Sequence, residues 1–164
     1  MAALERTAYP RLATTLSAKD LHRNYSLSSG ELDWISRTAR SPALFPWAAV
    51  QLKVFQERHY FPPLDEYPEI TDHSRNTLGF GPRITSRYTN SRTFYRHQAA
   101  IREYLQIKAF YGSEALTIAL HLAHESAEVL DQRADIINVL IGELLQRSYE
   151  LPAIPPSMTL LRMP

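Results

Sequence analysis

Residues 46–61 read PWAAVQLKVFQERHYF, and the fold follows from how this stretch is understood. Pro46 suits the first turn of a helix, where its missing N–H is no loss. Val50, Val54 and Phe55, with Trp47 and Leu52, then leave little of the helix for solvent. A helix that is apolar on most sides is a buried one, so the rest of the chain must supply what surrounds it. Trp47 reads as core before it reads as a ligand site, because large aromatics more often fill interiors.

Toward the N-terminus, Ser41-Pro42 stops a preceding helix. That helix opens at Ser28-Ser29-Gly30-Glu31, where Ser28 and Glu31 have the spacing of a capping box, and it runs to about Arg40. Ser17 caps a shorter helix through Asp20, Leu21 and Tyr25. Two helices over so short a turn form an αα unit, and Leu21, Tyr25, Leu27, Leu32 and Ile35 fall where a helix-turn-helix buries its inner side. Ser26 at the turn and the bulky His22 fit that motif only in part, so a plain packing hairpin stands beside it. Glu31 and Asp33 would face phosphates if the second helix entered a groove, which argues against that role. Residues 1–16, with Pro10 and Thr14-Thr15, read as a loose arm.

Toward the C-terminus, Phe61-Pro62-Pro63-Leu64 is a rigid connection into an acidic segment with Asp65, Glu66, Glu69 and Asp72. A short helix is expected from Pro68 to about Leu78, ended by Gly79, with Gly81 and Pro82 completing the break. Ser91 is the cap candidate for a helix from Arg92 to about Leu105. Ser113 and Asp131 are cap candidates for two apolar helices, ALTIALHLAHESAEVL and RADIINVLIGELLQRSY, and Leu151-Pro152 closes the second. The final AIPPSMTLLRMP has no period and reads as an unstructured tail. With no repeat and no strand pair, the expected fold class is all-α, a helical domain with helix-turn-helix-like pairs in two small lobes. The expected division is an arm over 1–16, a first subdomain over 17–64, a second over 65–152 and a tail over 153–164.

The 164 residues amount to about one domain's worth of chain, and 45% hydrophobic with 21% charged residues is an ordinary globular composition. The chain has no Cys, which excludes a disulfide framework, a thiolate nucleophile and a cysteine-ligated zinc site. The first twenty residues are broken by charges and a proline, and no apolar run approaches about 18 residues, so neither secretion nor membrane insertion is expected. A cytoplasmic location is.

Motifs that might carry chemistry fall short of it. His121, His124 and Glu125 read HLAHE, with the histidines three apart and no glutamate between them, unlike a zinc-binding HExxH. Asp72-His73-Ser74 holds the letters of a hydrolase triad, but adjacent residues cannot converge on one point. LGFGPR lacks the Lys-Ser/Thr ending of a phosphate loop. No catalytic residue, metal or cofactor is therefore expected.

One stretch departs from this neutrality. Residues 83–108, RITSRYTNSRTFYRHQAAIREYLQIK, carry six Lys/Arg against the single acid Glu103. Projected at about 100° per residue, the helix within it puts Phe94, Ile101 and Leu105 inward, with Tyr104 at the edge. Arg92, Tyr95, Arg96, Ala99, Arg102 and Gln106 take the opposite arc. Guanidinium forks pair bidentately with phosphate or guanine, and a helix fits the major groove of duplex DNA better than the deep groove of RNA. The expected contacts are Arg92, Tyr95, Arg96 and Arg102 at the groove or its rim, and Arg83 and Arg87 on phosphates. A basic face that docks an acidic protein partner is the alternative, and a remnant that folds poorly is another.

RYTNSRTFYRHQAAIREYL, preceded by LGFGPR and followed by two apolar helices ending RSYELPA, resembles the N-terminal region of the Tn-three-family transposases, the replicative enzymes that form cointegrates. LSAKDLHRNYSLSSGELDWISR and FPWAAVQLKVF look like the start of that region, so the resemblance spans roughly residues 12 to 153. It implies a helical region that binds the terminal inverted repeats of a transposon, with the catalytic acids far downstream in a longer chain. Partners implied are double-stranded DNA at transposon ends and, by association, the intact transposase or a second copy. Gln106 stands where the family often has a helix-ending glycine. After ELPA the chain gives IPPSMTLLRMP where the family continues with a phenylalanine and another helix, which reads as a truncated or frame-shifted copy that could compete with intact transposase.

Overall fold

Ser17 and Ser28 each close a capping box, and the helices they open are α1 (Ala18–Tyr25) and α2 (Ser29–Thr38). In both, the serine oxygen accepts the N–H of the third helical residue, whose carboxylate accepts the serine N–H in return, so two otherwise orphaned donors are satisfied. The computed structural model describes residues 7–11, 16–63, 68–80, 88 and 91–153. The other helices are α3 (Phe45–Arg58), α4 (Pro68–Thr77), α5 (Arg92–Leu105), α6 (Ser113–Ala127) and α7 (Arg133–Gln146). No strand occurs among the described residues, and the fold is all-α. Two compact units divide the chain: Leu12–Leu105, and Met1–Arg11 together with Gln106–Pro164.

The first unit is built round α3. Ala48, Ala49, Val50, Leu52 and Val54 have no exposed surface, and Gln51 and Phe55 have 1%. Burying Val50, Leu52, Val54 and Phe55 is worth roughly 1.5 to 3 kcal/mol each. Helices α1, α2, α4 and α5 all pack on α3, and α1 also packs on α4. Tyr25 of α1, Ile70 of α4, Tyr88 and Phe94 of α5 meet Val50 and Val54 in one cluster, with Leu16, Leu21, Leu44 and Trp47 against its edge. The partners of α3 thus come from both sides of the 64/65 boundary expected from sequence, and the division falls at 105/106 instead. His59 ends α3 in the left-handed conformation, φ 60°, with its N–H on the Phe55 carbonyl at 2.7 Å.

Glu31 departs from its expected exposure. It is 7% exposed and turned inward, where its carboxylate accepts Lys53 Nζ at 3.1 Å and Gln56 Nε2 at 2.8 Å. Burial opposes its charge, but the hydrogen bonds from Ser28, Gln56 and Lys53 outweigh that and hold its carboxyl below the usual range. The repulsion expected between Glu31 and a phosphate therefore does not apply, whereas Asp33 is exposed as expected.

In the second unit α6 and α7 pack against each other over Ala115, Ala134, Ile141 and Leu144. Neither expected side-chain cap forms. Gly112 holds the cap position of α6 and Gln132 that of α7, both without a side-chain bond. Lys108 N–H donates to the Ser148 carbonyl at 2.7 Å and Glu150 N–H to the Lys108 carbonyl at 2.9 Å, a single parallel bridge. Lys108 Nζ lies 5.0 Å from the centroid of the Tyr149 ring. Part of the expected arm is fastened here: Tyr9 OH donates to the Pro152 carbonyl and Ala8 N–H to Asn138 Oδ1, both at 2.7 Å. The expected tail from residue 154 onward lies outside the described residues.

Candidate nucleic-acid interface

Ser91 sets the first turn of α5. Its hydroxyl donates to the Tyr88 carbonyl at 2.6 Å and accepts the Phe94 N–H at 3.1 Å, as a cap should. The inner side of the helix carries Phe94, His97, Gln98 and Ile101, all at 8% exposure or less. His97 and Gln98 were assigned to neither face in the sequence, although both lie between Phe94 and Ile101 on the projection. Their polarity hid a position that the period alone marks as buried.

His97 is accommodated by a polar group inside an aromatic nest. Gln51 Nε2 donates to Tyr88 OH at 2.8 Å, and Tyr88 OH bonds His97 Nδ1. Trp47 stacks on the Tyr88 ring at 5.5 Å, and Phe94 meets that ring edge-on at 5.6 Å. Burial first, and the nearby Arg96 charge second, lower the His97 pKa to about 4, so the ring is neutral near pH 7. Since Tyr88 OH accepts from Gln51, its own proton goes to Nδ1, and His97 carries its hydrogen on Nε2. Burial also pushes the Tyr88 hydroxyl well above the ordinary tyrosine range. α5 is thereby held to α3 by packing and by a shared hydrogen-bond centre.

The outer side is where the expected contacts are distributed. Arg92 and Tyr95 are exposed, Tyr95 at 55%, and Ala99 and Glu103 continue the same face. Arg92 forms no ion pair among the described residues. Arg96 is half-buried, its Nη2 is covered and without a hydrogen-bond partner among the described residues, and its charge acts on Tyr88 and His97. Arg102 is half-buried too, its guanidinium carbon 4.9 Å from the centroid of the Phe61 ring. The expected arc is therefore narrower than drawn, with Arg92 and Tyr95 at its centre and Arg96 and Arg102 engaged at its flanks. Arg83 and Arg87 lie outside the described residues. Tyr104, expected at the edge of the buried side, is 39% exposed and stacks on Trp34 of α2 at 4.6 Å.

Elsewhere, His121 pairs with Glu125 at 3.4 Å and His124 with Glu128 at 3.7 Å, all on exposed positions of α6. Among the described residues there is no group of three side chains that could hold a metal ion, and no helix long and apolar enough to cross a membrane.

Comparison with curated proteins and with solved structures returns no match. A family model described as a domain of unknown function, DUF4158, matches residues 1–156 of the 164. With nearly its whole length matched, the chain belongs to the DUF4158 family, which is known in transposase-like proteins.

Proposed function

We propose that the chain binds duplex DNA through the outer side of α5, as the non-catalytic N-terminal part of a Tn-three-family transposase that engages terminal inverted repeats. The observation that carries this reading is the pair Arg92 and Tyr95, exposed about one turn apart on a helix whose opposite side is fixed in a core. An unpaired guanidinium beside a phenol on a rigid helix suits base edges and phosphates alike. The membership in a family known in transposase-like proteins supports the same reading, and so does the sequence resemblance across residues 12–153. In this role the chain supplies position on DNA and no chemical step.

A mobility-shift titration tests it, using a duplex with the terminal inverted repeat and a scrambled duplex of equal composition. The wild-type chain is expected to prefer the repeat, and the double variant Arg92→Ala, Arg96→Ala to lose about 1 to 3 kcal/mol of that preference. No shift with either duplex removes the function; an unaltered preference in the double variant removes the residue assignment.

A protein–protein module is the second reading, and one observation favours it. Leu116 and Leu120 stand one turn apart on α6 at 51% and 63% exposure. If Leu120→Ser abolished a pull-down partner while DNA binding was absent in wild type, this reading would replace the first.

A further inference from the structure

Resting on the DNA-binding reading of α5, we infer that α2 supplies a second contact with the same duplex, from Arg37 to a backbone phosphate. The inner side of α2 is committed to the core: Glu31, Ile35 and Ala39 are buried, and Lys53 neutralises Glu31 from α3. What α2 presents outward is therefore not the acid of its first turn but the residues of its far side. Arg37 is exposed there, with Arg40 just beyond the helix end, and neither forms an ion pair among the described residues. Arg37 Nε donates to the Asp33 carbonyl at 3.2 Å, which holds the guanidinium along the helix and leaves its two terminal nitrogens for another acceptor.

Position relative to α5 comes from Trp34 and Tyr104. Their rings are 4.6 Å apart and within 24° of parallel, which brings the flank of α2 alongside the C-terminal half of α5. Arg37 follows Trp34 by three residues and so stands one turn along the same flank. Packed helices lie about 8 to 10 Å apart, and the major groove is about 12 Å wide. A helix at the groove and a neighbour at its rim fit that pair of distances. The carboxylates on these two faces are Asp33 and Glu103, both exposed, against the guanidinium groups of Arg37, Arg40, Arg92 and the half-buried Arg96. The surface stays net positive, as phosphate requires.

The test is the salt dependence of binding by the full chain, from fluorescence anisotropy with the inverted-repeat duplex and the scrambled duplex between about 50 and 200 mM salt. Arg37→Gln is expected to weaken both duplexes alike and to reduce the slope of log K against log salt by about 1. The fourfold rise in salt then weakens the variant about threefold less than it weakens wild type. Arg37→Lys is expected to keep the wild-type slope, because a phosphate needs only the charge. Circular dichroism melts confirm that the variants fold. If Arg92→Ala weakens binding while Arg37→Gln leaves affinity and slope unchanged, the inference about α2 is overturned and the reading of α5 stands. If wild type binds neither duplex, the reading of α5 is what fails, and this inference goes with it.

Discussion

His97 has no exposed surface, and its pKa is about 4 in the folded chain against 6.5 for a free imidazole. Because the folded value is the lower one, the unfolded chain binds more protons between the two. The contribution of His97 to stability is complete above about pH 6.5 and is lost as pH falls toward 4, an effect on the order of 3 kcal/mol. Burial lowers the pKa of His59 and His73 as well, so both add to the slope with the same sign. Urea midpoints measured from about pH 7 down to about 4.5 should fall steeply for wild type and less steeply for His97→Gln. Equal slopes would mean that His97 is not held neutral in the folded state. At this scale the sequence was legible only where the cause is local. Ser28 and Glu31 could be read as a capping box because they are three residues apart, but the burial of Glu31 depends on Lys53 and Gln56, 22 and 25 residues away. Likewise nothing local marks Gln51 and Tyr88 as the partners that make a buried histidine acceptable.

Element boundaries were legible where a side chain caps or a prescribed turn residue stops the helix. Ser91 opens α5 at Arg92, and Gly79, at φ 72°, follows the end of α4. Where the cap is backbone alone, as at Gly112 and Gln132, the serine and aspartate expected to do the work were the wrong residues. The same physics gives meaning to Gln106, which follows α5 at φ 56°. A residue with a Cβ is disfavoured in that left-handed conformation, and glycine is not. Gln106→Gly should therefore stabilise the chain by about 0.5 to 1 kcal/mol, the relief of strain being partly offset by the greater freedom of glycine when unfolded. The check is the denaturant midpoint at constant m; a lower midpoint would show that the glutamine side chain contributes more than its backbone conformation costs. The face of α5 was legible in the same way, from the period, and it missed Arg96 and Arg102 because projection gives direction but not length. Long guanidinium side chains at the edges of an arc reach their neighbours, here the Tyr88–His97 pair and the Phe61 ring.

At the scale of the whole molecule, the proline-rich 61–64 stretch looked like a boundary because composition changes there, whereas what defines a unit is which elements bury one another. α4 and α5 return to α3, and the chain crosses into its other unit only after Leu105. That second unit is assembled from two distant parts of the sequence, with Tyr9 at 8% exposure as the main tie between them and its hydroxyl on the Pro152 carbonyl. Compact units open separately when each has its own contacts, so a lesion in one should register there first. Tyr9→Ala removes a buried aromatic and is expected to cost about 3 to 5 kcal/mol within that unit, while Tyr9→Phe removes only the hydrogen bond, at about 1 kcal/mol. Amide hydrogen exchange read by mass spectrometry resolves where the loss falls. Peptides covering α6 and α7 should lose protection in Tyr9→Ala, and peptides covering α3 should keep it. Unchanged protection in α6 and α7 would show that residues 7–11 contribute nothing to that unit, and equal loss in α3 would show that the two units unfold as one.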